Sequence, residues 1–379
     1  MAEPLHKALL PQGLRDLLPP EAAWEAEVVQ RLTAVLGGHG YERVKPPLAE
    51  YEDNLLSGAG AAMAMETFRV MDPVSQRMIG LRADMTPQVA RIATSRLKDA
   101  PRPLRLCYAG QVLRVKGGGI GSERQVGQVG AELIGSDAVA ADLEVVSVAA
   151  EALAALGISG LSVDLTVPTL VPAVCRALGL EDADIARVRA ALDHKDAAAT
   201  EALGGRASQL LGALLRAAGP ARPGLAALAA LDLPAAAAAE CARLSNVLKG
   251  LEALAPGLAV TIDPVENRGF EYHTGISFAF FARGLAGELG RGGRYLDDSG
   301  EPATGFTLYT DTILLAAPAQ PMGRRLYVPA GSDPGTSRRW RGEGWITVAG
   351  LAPAVDPGAE AARLGCTHRL EGDKIVAVR

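Results

Sequence analysis

The chain is poor in aromatic residues, at 4% of 379 positions, so its packing must come mainly from Leu, Val and Ala. Cysteine is scarce as well. Cys107, Cys175, Cys241 and Cys366 stand far apart with no C-x-x-C pair, which argues against a disulfide framework or a zinc site and suits a reducing cytoplasm. No run of about 20 apolar residues suggests a membrane span. The opening "MAEPLHKALLPQGLRDLLPPEA" is broken by prolines and charges where a signal peptide would need an apolar core. Positive charge is not in excess either. With 38 Lys and Arg against 43 Asp and Glu, the net charge of -5 offers nucleic acid no global basic field. The expectation is a soluble cytoplasmic protein without a membrane partner.

What is present is ordinary for a globular protein: 49% apolar and 21% charged residues, in a chain long enough for two or three compact domains. "PPEAAWEAEVVQRLTAVLGG" predicts a helix, with Pro20 and Glu21 in its first turn, Trp24, Val28, Leu32 and Val35 at helical spacing, and Gly37 and Gly38 ending it. "YERVKPP" reads as a short strand. "TFRVMD" and "RMIGLRAD" alternate as a hairpin, and "TPQVARIATSRL" as a helix capped by Thr86. "LRLCYAGQVLR" and "RQVGQVGAELIG" form a long hairpin around the glycine-rich "GGGIGS", before a helix from Asp137 to Leu156. Helices thus alternate with antiparallel strand pairs, an α+β pattern.

Residues 167–256 differ. They are rich in Ala and Leu and predict an all-helical insertion. "LAVTIDP" and "FEYHTGISFAFFA" then return as strands, "ELGRGGRY" reads as a glycine-rich turn, and "ATGFTLYTDTILLA" as a strand running into a helix. One core over residues 1–318, interrupted by the insertion, accounts for this order. Residues 319–379 form a small appendage, rich at first in Arg, Gly and Pro, with strands at "WITVAGL" and "KIVAVR" around a helix at Gly358–Leu364.

Three polar clusters fall on strands or strand ends. The first is Arg82, Asp84 and Thr86; the second is Arg114 with Gln128 and Glu132; the third is Arg268, Glu271, Tyr272 and His273. A spacing of four puts Gln128 and Glu132 on one sheet face. Singly these are weak signals, since a strand acid is more often an ion-pair partner. Together they suit a small zwitterion: Asp84 and Thr86 can accept from an α-ammonium, Arg268 can clamp a carboxylate, and Glu132 can accept an imidazole N–H. "GGGIGS" lacks the G-x-x-x-x-G-K-[ST] order of a phosphate-cradling loop.

"LRADMTPQVAR", "VLR…RQVGQVGAELIG", "RGFEYHTG" and "GRGGRY…TGFTL" resemble, in order, the blocks of the histidyl-tRNA synthetase family, over about residues 10–318. "RGFEYHTG" is similar to that family's "RGLDYY". The resemblance implies a class II aminoacyl-tRNA synthetase-like antiparallel sheet of six strands flanked by helices, with a helical insertion. It also implies histidine-binding roles for Asp84, Thr86, Arg114, Gln128, Glu132, Arg268, Tyr272 and His273.

The departures point away from catalysis. The synthetases hold ATP with an Arg-x-Glu pair, where this chain has Arg114 and Lys116, and with the Arg of "GFALGLER", where it has Thr312. Losing one such preorganised donor costs about 3 to 4 kcal/mol. An anticodon-binding domain of about 90 residues is replaced by the short appendage. The pattern, including "PQGLRDLLPPEA" and "LRLCYAGQVLR", resembles the synthetase-like paralogues that serve as regulatory subunits of ATP phosphoribosyltransferase. That resemblance implies a non-catalytic, cytoplasmic subunit of a hetero-oligomer, built from dimers. Its partner would be a short-form catalytic subunit in the first step of histidine biosynthesis. Histidine would be its effector, and neither cofactor, metal nor tRNA is implied. An active histidyl-tRNA synthetase with a reduced tRNA-binding region, and a stand-alone histidine-binding module, are the alternatives.

Overall fold

The structure, a computed structural model, describes residues 9–117, 123–266, 273–318 and 323–378. The chain divides into two compact units, Met1–Pro318 and Ala319–Arg379.

In the first unit, α1 (Glu21–Gly38) buries Val28, Leu32 and Leu36 at helical spacing. Short strands β1 (Glu42–Arg43) and β2 (Ala49–Tyr51) and the one-turn α2 (Glu52–Leu55) lead to β3 (Phe68–Met71) and β4 (Met78–Leu81). β4 pairs with both β3 and β2, so the predicted hairpin is part of a three-stranded sheet. α3 (Thr86–Ser95) is not capped by the Thr86 hydroxyl. Thr86 is its first residue, and Asp84 Oδ1 accepts the Thr86 backbone N–H at 2.8 Å.

β5 (Leu104–Leu113) and β6 (Gln125–Ile134) pair antiparallel residue by residue, and the tip between them, residues 118–122, lies outside the described residues. α4 (Val139–Ala154) and β7 (Leu161–Thr166) follow. The insertion comprises α5 (Leu170–Ala177), α6 (Asp182–Asp193), α7 (Ala197–Glu201), α8 (Gly205–Arg216), β8 (Gly219–Pro220), α9 (Ala221–Ala229) and α10 (Ala235–Leu254). It is therefore not wholly helical. β8 joins the edge of β9 (Ala259–Asp263), a position where Pro220 is tolerated because no ladder N–H is needed from it.

β10 (His273–Ala282), β11 (Gly290–Leu296), β12 (Pro302–Tyr309) and α11 (Thr310–Ala316) complete the unit. "ELGRGGRY" is thus mostly a strand, not a turn. A Cβ on Gly292 would lie 2.1 Å from the Gly305 carbonyl oxygen, and one on Gly290 2.5 Å from that of Thr307. Glycine here admits the neighbouring strand rather than reversing the chain.

The nine strands run β1-β5-β6-β12-β11-β10-β7-β9-β8. The central six, from β5 to β7, are antiparallel throughout, and the parallel pairs lie outside them at β1·β5 and β7·β9. A large apolar core joins α1, α4 and the insertion helices to the sheet. A second cluster, with Met85, Val89, Ala93, Tyr108 and Tyr295, packs α3 on the sheet, and the polar site is set among these residues.

The second unit has four strands, β13 (Arg325–Val328), β14 (Ile346–Ala349), β15 (His368–Glu371) and β16 (Lys374–Ala377), in the order β14-β13-β15-β16. α12 (Pro334–Gly342) connects β13 to β14, and α13 (Pro357–Arg363) connects β14 to β15. Sequence reading missed β13, β15 and α12. The Arg-rich run of α12 has no buried residue, but Trp340 packs against Leu326, Val328 and Leu370.

Candidate functional site

Glu132 anchors the site. It lies near the C-terminal end of β6, 1% exposed, and its carboxylate accepts a hydrogen bond from Tyr295 Oη at 2.9 Å and a long one from Tyr108 Oη at 3.5 Å. Burial pushes its pKa up to about 8; Tyr295 and Thr86 partly counter this by donating to the charged form, and nearby Asp84 adds to it. Room for the carboxylate depends on Gly305, its cross-strand partner on β12, where a Cβ would fall 1.8 Å from Glu132 Oε2. Tyr108 folds over Gly130 in the same way and ties Thr86 (3.2 Å) to Thr307 (2.7 Å) through its hydroxyl.

These groups face a small cavity of about 40 Å³, which Asp84, Thr86, Glu132, His273, Arg291 and Tyr295 help to line. Such a volume holds a few waters. His273 is half-buried, and burial with the nearby Arg291 lowers its pKa to about 4, so it is neutral at pH 7. Asp84 is held rigidly. Oδ1 accepts from the Thr86 N–H, and Oδ2 accepts from Gln128 Nε2 at 2.8 Å. Gln128 Oε1 in turn accepts the Met85 N–H at 3.1 Å. Both ends of the Gln128 amide are therefore used behind Asp84, which makes it a support for the acid.

A second cavity, of about 690 Å³, shares Asp84, Arg291 and Tyr309 with the first. Arg114, Lys116 and Thr312 line it. Arg114 donates from Nε to the Ala83 carbonyl at 3.2 Å and lies 5.9 Å from the Tyr309 ring centroid. The Thr312 hydroxyl donates back to the Tyr309 carbonyl at 3.1 Å.

Of the residues singled out from sequence, Asp84, Thr86, Glu132 and His273 meet at the small cavity. Arg114 belongs to the larger one and Gln128 stands behind. Arg82 is spent on structure, donating to the carbonyls of Gln111, Pro46 and Pro47. Arg268, Glu271 and Tyr272 lie outside the described residues. Sequence reading missed Tyr108, Arg291 and Tyr295. The last two are four apart on β11, a spacing that would have placed them on one face had "GRGGRY" been read as a strand. Among the described residues, no group of three or more His, Cys, Asp or Glu side chains could hold a metal ion, and no helix is long and apolar enough to cross a membrane.

Residues 13–313 match the histidyl-tRNA synthetase family model. An ATP phosphoribosyltransferase regulatory subunit of Paramagnetospirillum magneticum is 58% identical over all of both chains. One from Rhodospirillum centenum is 59% identical over 98% of this chain and 97% of its own. Two solved structures share the fold. One, described as an ATP phosphoribosyltransferase regulatory subunit/histidyl-tRNA synthetase from Bacillus halodurans, has a TM-score of 0.83 at 24% identity, covering 96% of this chain and 97% of its own. A histidyl-tRNA synthetase from Nostoc has a TM-score of 0.80 at 18% identity, covering 96% and 91%. With its class II synthetase-like sheet and this full-length identity, the chain belongs to the histidyl-tRNA synthetase-like family, in the branch of the ATP phosphoribosyltransferase regulatory subunits.

Proposed function

We propose that this chain is a non-catalytic histidine sensor, which a short-form ATP phosphoribosyltransferase catalytic subunit requires for activity and through which histidine inhibits that subunit. The carrying observation is the Glu132 cavity: a buried carboxyl with two tyrosine hydroxyls at its oxygens, beside a preorganised Asp84. An imidazole entering it offers an N–H to Glu132. The α-ammonium then reaches Asp84 and Thr86, and the carboxylate points towards Arg291 and the larger cavity, with Arg268 and Tyr272 as further proposed contacts.

Catalysis is assigned to the partner because Lys116 and Thr312 stand at the larger cavity in place of the Glu and Arg with which the related synthetases hold ATP. Without them adenylation loses several kcal/mol of transition-state stabilisation. Histidine acts only as far as it binds one quaternary state more tightly than another. The appendage of residues 319–379 stands in place of an anticodon-binding domain, and no tRNA is bound.

Two measurements on the purified chain test this reading. Calorimetry is expected to show histidine binding, and histidine-dependent ATP–pyrophosphate exchange is expected to be absent. Robust exchange would restore the synthetase alternative. Failure to co-migrate with a short-form catalytic subunit, and to raise its phosphoribosyl transfer, would leave only a stand-alone binding module.

A further inference from the structure

The αL position just past a helix end favours glycine, which alone adopts positive φ without cost. Gly40, Gly179, Gly344 and Gly365 fill it after α1, α5, α12 and α13, with φ of 80, 79, 82 and 66°. After α6 the residue is Lys195, at φ 56°. Besides Gln76, it is the only non-glycine among the described residues with positive φ. Its side chain explains the departure, since Lys195 Nζ donates to Asp263 Oδ2 at the end of β9. The other Asp263 oxygen accepts the N–H groups of Val265 and Glu266, so this carboxylate both turns the chain and takes the insertion's lysine.

Asp263 is also the first member of a transverse row. It pairs with Thr166 on β7, Thr166 with Ser277 on β10, Ser277 with Gly293 on β11, Gly293 with Gly305 on β12, and Gly305 with Glu132 on β6. Directly paired residues share a sheet face, so the row runs on one face from the insertion to the carboxyl in the small cavity. Its members are small and tightly fitted. The Thr166 and Ser277 hydroxyls are 2.5 Å apart, a Cβ on Gly293 would meet Ser277 Cβ at 2.8 Å and His273 Nε2 at 2.9 Å, and Gly305 is already filled by Glu132. A displacement at one member of so close a row is passed to the next, because each already touches its neighbour.

We propose that Lys195 is a positioning residue for the ligand cavity. The helical insertion grips the end of β9 through it, and the row Asp263–Thr166–Ser277–Gly293–Gly305 transmits that grip to Glu132 and His273. The insertion is thereby coupled to ligand affinity. The proposal rests on the reading of the Glu132 cavity as the histidine site.

Lys195→Gly tests it cleanly, because the substitution relieves the αL backbone while removing the side chain. In the full chain, Tm is expected to be unchanged or raised, and calorimetric histidine affinity to fall by about five- to tenfold, the lower range of site-to-site coupling. Lys195→Arg, which keeps the charge, is expected to recover most of the affinity. Glu132→Ala serves as the reference. Loss of binding in Glu132→Ala with unchanged affinity in Lys195→Gly overturns the coupling and leaves the site standing. Unchanged affinity in both overturns the site and the coupling with it. Weaker binding accompanied by a lower Tm, without recovery in Lys195→Arg, marks the contact as merely structural and also overturns the proposal.

Discussion

The two adjoining cavities differ in how far their walls depend on one another. In the small one each polar group is held by the next: Gln128 by Met85, Asp84 by Gln128, Tyr108 by Thr307, Glu132 by Tyr295. In the larger one, Arg15 pairs with Glu21 and Glu123, but the side chains of Arg114 and Thr312 hydrogen-bond only to backbone carbonyls among the described residues, and Lys116 stands on the hairpin beyond β5. A side chain in a closed network cannot change without leaving a buried partner unsatisfied, whereas one at a wide rim can. The comparison teaches why the polar groups of the small cavity tolerate less change than those at the rim of the larger one.

Breaking the small cavity has the largest expected effect. Gly305→Ala forces a methyl into the place of a Glu132 oxygen, and Glu132→Ala removes the proposed imidazole acceptor. Each is expected to cost about 1 to 3 kcal/mol of histidine binding by calorimetry, the range for overpacking or for leaving a buried hydrogen-bonding group unsatisfied. Unchanged affinity in both would show that histidine binds elsewhere.

Glu132 also makes a prediction about pH. Its folded-state pKa lies near 8 against an ordinary value of 4.5, so the folded protein holds this proton more tightly than the unfolded chain. The associated stability is complete below about pH 4.5 and is lost as pH rises through about 8. Glu132→Gln cannot ionise. It should therefore gain over the wild type by up to about 2 to 4 kcal/mol between pH 5 and 9 in denaturant titrations. Parallel stability curves across that range would refute the buried-acid assignment.

Tyr295→Phe sharpens the contrast more gently. Removing the 2.9 Å donor should weaken histidine binding by about 1 kcal/mol and raise the Glu132 pKa further, readable by NMR of the carboxyl carbon. The smallest effects are expected at the larger cavity. Arg114→Ala should leave the partner's phosphoribosyl transfer intact in the assembled complex, and Thr312→Arg should leave histidine affinity within about 0.5 kcal/mol. Complete loss of transfer in an intact assembly would place catalytic groups on this chain after all.

Much of this was legible in the sequence because it depends on local pattern. The apolar spacing of α1, the alternation of β3 and β4, and the long runs of β5 and β6 each state their element directly. Asp84, Thr86 and Glu132 were legible as a constellation. The glycine strand was not, since glycine next to arginine signals a turn unless the approach of β10 and β12 is known. β8 was hidden for a related reason. A two-residue strand has no period of its own and exists only through its pairing with β9.

The sequence by itself determined which elements form and which acids and hydroxyls are available, because periodicity and residue chemistry are properties of neighbours along the chain. Only the tertiary structure decided that Gly305 makes room for Glu132, that Tyr108 and Tyr295 close around it, and that Lys195 reaches the same sheet row from the insertion. Those relations join residues far apart in sequence. They are set by strand register and close packing, which no single segment contains.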